Sequence, residues 1–163
     1  MKTVLIMRHA KSSWKEPVVD DHERPLNKRG KQNAPRMGRL LREMELVPDL
    51  VLSSTARRAR DTAEAVIDQC RYKGELRLEQ ELYAAPAEAY LRALRDLDNS
   101  IKRVLLVGHN PGLEELVYHL TGEQARLPTA AVAQVKLPIK QWQDLTDDVK
   151  GQLVNLWRPK ELP

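Results

Sequence analysis

Short apolar runs separated by helical patterns organise this chain. An apolar run bounded by turn-forming residues is typical of a strand buried in a parallel sheet. Four such runs come first, at Lys2–Met7, Leu50–Leu52, Leu76–Leu78 and Arg103–Val107, and the third is the weakest. Two later runs, near Ala130–Leu137 and Gln152–Trp157, alternate apolar and polar residues to different degrees, a pattern that can place strands at a sheet edge. The sequence therefore predicts six strands.

Helical periodicity fills the segments between these runs. Met37, Leu40, Leu41 and Met44 fall at i, i+3, i+4 and i+7, which predicts a helix from about Lys28 to Glu45. Pro35 favours a start nearer Asn33 or a kink in that helix. The other predicted helices lie at about Ala56–Arg71, Ala87–Leu97 and Leu113–Thr121, with Gly74 and Gly122 as stop signals.

The alternation of strands and helices predicts the fold class. It is typical of an α/β protein with a mainly parallel central sheet and helices on both faces, a three-layer α/β/α arrangement. At 163 residues the chain is long enough for a proper core, and we expect a single domain over residues 1–163.

Composition changes this picture little. Hydrophobic residues make up 42% and charged residues 31%, and the core must be built without phenylalanine. The net charge of +4 is compatible with acidic partners or phosphorylated substrates, but also with a merely solvated basic surface. Cys70 is the only cysteine, which excludes an intrachain disulfide and fits a reducing compartment. The start of the chain lacks a signal-peptide pattern and no apolar stretch approaches membrane-spanning length, so we expect a cytoplasmic protein without a membrane partner.

Two histidines and several arginines follow predicted strands. Arg8 and His9 come directly after the first strand, and His109 follows the fourth strand with only Gly108 between them. The carboxyl ends of parallel strands are where α/β proteins bind ligands, so we expect these side chains to meet at one mouth. Guanidinium groups, imidazoles and the N-termini of helices together form a good binding site for a tetrahedral oxyanion.

The arginines after the second strand differ in their sequence neighbours. Arg57 has Asp61, and Arg60 has Glu64, at i+4, where simple surface ion pairs form on a helix. Arg58 has Thr62 at i+4 and lies in the first helical turn. This spacing favours Arg58 as the pocket arginine, although all three could be solvated helix charges.

The other histidines carry weaker signals. His22 lies in a charged loop and His119 on the body of a helix, so we expect structural or exposed roles for both. A metal site is the competing interpretation of His9 and His109, because histidine is the commonest metal ligand. The adjacent Arg8 would repel a divalent cation, and no carboxylate or cysteine lies at ligand spacing, so we expect neither a metal nor a cofactor.

At these residues the chain resembles the histidine phosphatase superfamily, also called phosphoglycerate mutase-like. Arg8-His9-Ala10 resembles the Arg-His-Gly signature of that family, with alanine in place of glycine. The segment 53–63, in which Arg58 precedes Ala-x-x-Thr, resembles the second block of the family, and Gly108-His109-Asn110 resembles the third. Arg24-Pro25-Leu26 and the short chain are similar to the SixA-like phosphohistidine phosphatase branch, in which that arginine also approaches the phosphoryl group.

The resemblance implies a phosphoglycerate mutase-like fold and a metal-independent phosphatase. His9 would attack phosphorus and carry a transient phosphohistidine, while Arg8, Arg58 and His109 stabilise the oxygens and Arg24 supports substrate binding. The implied substrate is phosphohistidine on a protein, possibly a histidine-phosphotransfer protein. The general acid is open: Glu81 stands near where some relatives place a proton donor, but it could equally be an ordinary loop glutamate.

Two alternatives remain at this stage. A phosphatase or mutase of small phosphomonoesters belongs to the same superfamily, but its members carry larger insertions where this chain has one helix between Tyr83 and Val104. A non-catalytic phosphoryl-binding module belongs to another class, and the presence of both His9 and His109 argues against it. A nucleic-acid partner is not expected, because the sequence shows no aromatic platform, basic run or recognised motif.

Overall fold

The computed structural model describes residues 1–15 and 20–163. Its helices are α1 Lys28–Glu43, α2 Arg57–Cys70, α3 Ala87–Arg95 and α4 Gly112–Thr121. Its strands are β1 Lys2–Arg8, β2 Leu50–Ser54, β3 Leu76–Glu79, β4 Arg103–Gly108, β5 Val132–Leu137 and β6 Gln152–Trp157. All six predicted strands and four predicted helices are present, and short 3-10 turns connect some of them.

The strands form one mainly parallel sheet in the order β3-β2-β4-β1-β5-β6. Strands β3, β2, β4 and β1 run parallel to one another, whereas β5 pairs antiparallel with both β1 and β6. Strand β6 occupies an edge, as the sequence suggested, but β5 lies one position further in. Strands β5 and β6 therefore extend the sheet beyond β1, and β3 forms the opposite edge.

Alternate residues of the central strands point into two separate cores. Val4 and Ile6 of β1 pack with the buried faces of α3 and α4, whereas Leu5 and Met7 pack with those of α1 and α2. Successive side chains of a strand point to opposite faces, so a strand covered on both sides reads as a continuous apolar run. The prediction of a three-layer α/β/α fold with a mainly parallel sheet is confirmed.

The predicted ranges of α1 and α2 agree with the structure to within two residues, but the signals read from Pro35 and Gly74 do not mark a helix end. Helix α1 begins at Lys28 and continues through Pro35, because the side chain of Asn27 accepts a hydrogen bond from the Gly30 amide at 2.9 Å and caps the first turn. Helix α2 ends without help from Gly74, since Arg71 itself takes the left-handed conformation, with φ of 63°. Gly122 ends α4 in that conformation, as predicted.

Candidate active site

The carboxyl ends of three adjacent strands bring the predicted site residues together. Arg8 of β1 pairs with Gly108 of β4, and β4 pairs on its other side with β2, which ends at Ser54. His9 and His109 follow directly, and their ring centroids lie 5.2 Å apart. Residues about a hundred positions apart in sequence therefore lie in one buried pocket at the carboxyl ends of the strands.

His9 is held in one orientation by its own backbone environment. Its amide donates to the Gly108 carbonyl at 3.0 Å, and its Nδ1 lies 2.7 Å from the Ala10 carbonyl oxygen. A carbonyl oxygen only accepts hydrogen bonds, so Nδ1 carries the proton of the neutral ring. The lone pair therefore resides on Nε2, the nitrogen that can act as a nucleophile.

Alanine at position 10, where the Arg-His-Gly signature has glycine, causes no backbone strain. Ala10 is fully buried and does not adopt the left-handed conformation that would favour glycine. Its amide donates to the Thr62 hydroxyl at 2.9 Å, and that hydroxyl donates to the Arg58 carbonyl at 2.7 Å. The Ala-x-x-Thr segment of α2 thus ties the helix that carries Arg58 to the loop that follows His9.

His109 is positioned from both its backbone and its ring. The Tyr90 hydroxyl accepts a hydrogen bond from the His109 amide at 3.1 Å and lies so close to Gly108 that a Cβ there would clash with it. The His109 Nε2 lies 2.8 Å from the Ser54 hydroxyl, whereas its buried Nδ1 has no partner among the described residues. Nδ1 is therefore free to contact a bound oxyanion.

Both imidazoles are strongly biased towards the neutral form. Burial is the largest cause and lowers the pKa of His9 to about 3 and that of His109 to about 4. The carbonyl of Ala10 raises the pKa of His9, whereas His109 and then Arg58 lower it further. For His109, Arg58 is the largest cause after burial, and Asp21 acts in the opposite direction. Desolvation, more than the arginines, therefore favours the unprotonated form of His9.

The structure selects Arg58 among the three helix arginines. The side chain of Arg58 is only 7% exposed, against 46% for Arg57 and 40% for Arg60. The other two make the i,i+4 contacts expected of surface pairs, at 3.6 Å to Asp61 and 4.0 Å to Glu64. The expectation that Arg58 is the pocket arginine agrees with this placement.

Arg8 and Arg58 keep donor groups available at the mouth. Arg8 donates through Nη1 to the Leu127 carbonyl at 3.2 Å, and Arg58 donates through Nη1 to the Asp21 carbonyl at 2.7 Å. The buried Nε of each guanidinium has no partner among residues 1–15 and 20–163. Two fixed guanidinium groups beside two neutral imidazoles form a pocket suited to a tetrahedral anion.

The carboxylate of Asp21 bridges Arg24 and Arg58. Asp21 accepts from the Arg24 Nε at 3.0 Å and from the Arg58 Nη2 at 3.1 Å, through different carboxylate oxygens. Arg24 is itself buried, stacks on the Trp14 ring at 3.4 Å and donates to the Ser12 hydroxyl at 2.7 Å. Its guanidinium is thus part of the same charged network as Arg58.

Three further residues at the rim were not expected to take part in the site. Asp21 accepts a hydrogen bond from the Tyr83 hydroxyl, and that bond, with the contacts to Arg24 and Arg58, lowers the pKa of Asp21 to about 2. The Tyr83 ring meets those of His109 and His22 edge-on, at centroid distances of 5.6 and 4.8 Å. His22 therefore lies at the rim of the site and not in a free charged loop.

The remaining candidates lie apart from this cluster. His119 lies 3.3 Å from the Asp147 carboxylate. Glu81 is exposed, and its neighbour is Glu79, whose pKa is raised first by burial and then by Glu81.

Across the described part of the chain, no three histidine, cysteine or acidic side chains cluster closely enough to hold a metal ion. None of the described helices is long and apolar enough to cross a bilayer.

Comparison with known proteins shows which family this chain belongs to. The family model of the histidine phosphatase superfamily (branch 1) matches residues 4–85, half of the chain. A protein of Mycobacterium tuberculosis without an assigned function is 32% identical over 143 residues, which span 80% of this chain and 87% of that protein. The chain therefore belongs to the histidine phosphatase superfamily.

Two solved structures with a similar fold are those of SixA proteins. The protein histidine phosphatase SixA, complexed with tungstate, is 26% identical, and the superposition covers 99% of each chain with a TM-score of 0.84. A structure provisionally assigned to phosphohistidine phosphatase SixA of Agrobacterium tumefaciens is 28% identical, with a TM-score of 0.84 over 97% of this chain and 98% of that one. Family and neighbours together support a phosphatase with a phosphoglycerate mutase-like fold.

Proposed function

We propose that residues 1–163 form one phosphatase domain that works through a phosphohistidine on His9 and dephosphorylates phosphohistidine on a protein. The observation that supports this most directly is the contact of His9 Nδ1 with the Ala10 carbonyl, which leaves the Nε2 lone pair free. The similarity to protein histidine phosphatase SixA, 26% identical over nearly the whole chain, supports the substrate class.

The reaction proceeds in two displacements at phosphorus. The Nε2 lone pair of His9 forms a new N–P bond while the bond from phosphorus to the substrate nitrogen breaks, and the leaving imidazole keeps its ring proton and departs neutral. Water then attacks the phosphohistidine, which releases inorganic phosphate and returns the electron pair to Nε2. The two steps together replace one difficult hydrolysis by two easier displacements.

The surrounding donors stabilise the charge that develops on phosphorus. Arg8, Arg58 and His109 donate to the three non-bridging oxygens, and Arg24 supports Arg58 through their shared carboxylate, Asp21. Electrostatic stabilisation of this kind is the largest contribution expected in phosphoryl transfer. The fixed positive charges of the arginines take the role that a metal ion has in other phosphatases, so the reaction needs no metal.

Two features favour a protein phosphoramidate over a small phosphomonoester. Between Tyr83 and β4 the chain has one nine-residue helix, α3, which packs against α4, so no described segment there covers His9. An alkyl phosphate expels a poor leaving group and needs a well-placed proton donor, a contribution of roughly 10²–10⁴-fold. Phosphohistidine makes a smaller demand, because its leaving imidazole is already protonated.

A substrate panel tests the proposal. We expect kcat/KM for a phosphohistidine peptide to exceed that for a sugar phosphate, with little change in Glu81→Gln. His9→Ala should fold normally yet show no turnover, and a rapid quench should no longer trap acid-labile phosphate on the protein. Preference for the sugar phosphate, lost in Glu81→Gln, would instead support the phosphomonoesterase. Phosphate binding without turnover of any substrate would support the non-catalytic binding module.

A further inference from the structure

A basic groove of about 580 Å³ lies beside the candidate active site and shares Arg8 with it. Its other charged lining residues are Lys11, Arg29, Arg36, Arg126 and Lys160. No acidic side chain lines this groove within residues 1–15 and 20–163. Six cations in one groove exceed the net charge of +4 of the entire chain, so the remainder of the molecule is slightly acidic.

Four separate segments converge to form the groove. Lys11 follows β1 and Arg29 lies in the first turn of α1, while Arg126 precedes β5 and Lys160 follows β6. Because the fold brings these cations together from distant parts of the sequence, the groove is not the solvated face of one charged helix. Their mutual repulsion opposes folding, and an anionic partner would relieve it.

The exposed cations of the groove form no ion pairs among the described residues. Lys11, Arg29, Arg126 and Lys160 are exposed, and none of them forms an ion pair with a described acidic residue. Arg36 donates to the backbone carbonyls of residues 159, 162 and 163, at 3.0, 2.9 and 2.9 Å. The contacts to residues 159 and 162 are made to neutral carbonyls and orient the guanidinium.

These exposed, flexible side chains suit a broad anionic surface better than a small anion. A pocket for one small anion is built from buried, pre-oriented donors, as around His9, whereas long exposed cations at a rim attract and orient an extended charged partner. We propose that this groove docks the acidic face of a protein substrate and aligns its phosphohistidine with His9. This inference rests on the proposed protein substrate and adds how that substrate is recognised.

Binding can be measured separately from catalysis. The probes are two fluorescein-labelled, unphosphorylated peptides around one histidine, flanked either by aspartate and glutamate or by asparagine and glutamine. In fluorescence anisotropy, the wild-type protein should bind the acidic peptide about tenfold or more tighter than the neutral one. The difference should shrink when salt is raised from about 50 to about 300 mM, because exposed charges are screened.

Charge reversal locates the binding surface. The triple variant Arg29→Glu/Arg126→Glu/Lys160→Glu should lose the preference for the acidic peptide and raise KM for its phosphohistidine form about tenfold or more. Turnover of para-nitrophenyl phosphate should stay within about twofold, because none of these three residues contacts the His9 pocket.

A matched control carries the same charge change at the opposite end of the strands. Lys73, Lys102 and Lys140 are exposed and precede β3, precede β4 and follow β5. The variant Lys73→Glu/Lys102→Glu/Lys140→Glu should keep the preference for the acidic peptide. Equal loss in this control would show that net charge alone acts, and would overturn the proposal.

Two other results also overturn the docking surface. One is equal affinity of the wild-type protein for the acidic and neutral peptides. The other is tighter binding of a single-stranded DNA oligonucleotide of matched charge than of the acidic peptide, which would assign the groove to nucleic acid. If the acidic peptide binds selectively but its phosphohistidine form is not hydrolysed, the docking surface stands and the proposed function fails.

Discussion

Acidification should destabilise this protein through the two histidines of its site. The pKa values of about 3 for His9 and about 4 for His109 lie well below the value of about 6.5 of an unfolded histidine. Below pH 6.5 the unfolded chain therefore binds more protons than the folded one, and the free energy of unfolding falls as pH falls. Above pH 6.5 both states are neutral at these positions, and the contribution vanishes.

The size of the effect follows from the same pKa values. Between pH 7.5 and pH 5.0 the folded histidines stay almost fully neutral, whereas the unfolded ones become protonated. Each histidine then costs about 2 kcal/mol of stability, or about 4 kcal/mol for both. A loss of this size is a large fraction of the stability of a typical domain.

Urea unfolding at the two pH values measures this loss. The double variant His9→Gln/His109→Gln removes both titrating rings and should lose about 4 kcal/mol less than wild type between pH 7.5 and pH 5.0. Each single variant should recover about half of the difference. Identical pH dependence in wild type and double variant would refute the argument that burial depresses these two pKa values.

Three further predictions concern the arginines, the metal and the packing of α2. Arg58→Ala should lower kcat/KM a hundredfold or more, roughly 3–4 kcal/mol, whereas Arg57→Ala and Arg60→Ala should each change it little, and equal losses would contradict the choice of Arg58. Activity should survive dialysis against a chelator, and its loss and return with a divalent ion would exclude the mechanism. Thr62→Val should cost about 1–3 kcal/mol in urea unfolding, because the buried Ala10 amide loses its acceptor, and unchanged stability would contradict that role.

Much of the fold could be predicted because buried strands and amphipathic helices have distinct periodicities. The apolar runs of β1 and β4 are covered on both faces, and the residues after them lie where the pattern placed them. The residues that start and stop the helices were harder to identify, since capping depends on local hydrogen bonds. Asn27 caps α1 and Pro35 is accommodated within it, while Arg71 rather than a glycine ends α2.

The site was only partly readable from the sequence. His9, Arg8, Arg58 and His109 stand at strand ends or in a motif, so position and resemblance both point to them. Asp21 has no such signal, because its role depends on how a loop folds back to reach Arg58 and Tyr83. The rim position of His22 likewise arises from tertiary contacts that no spacing along the chain encodes.

The position of β4 in the sheet determines when this site can exist during synthesis of the protein. Strand β4 lies between β1 and β2, so the two strands made first are not neighbours in the finished sheet. A nascent chain that has emerged only as far as α3 has His9 and Arg58 but neither the strand that joins their supports nor His109. The site therefore cannot form until β4 has been made and has inserted between β1 and β2. In refolding, recovered activity would for the same reason report insertion of the central strand and not merely collapse.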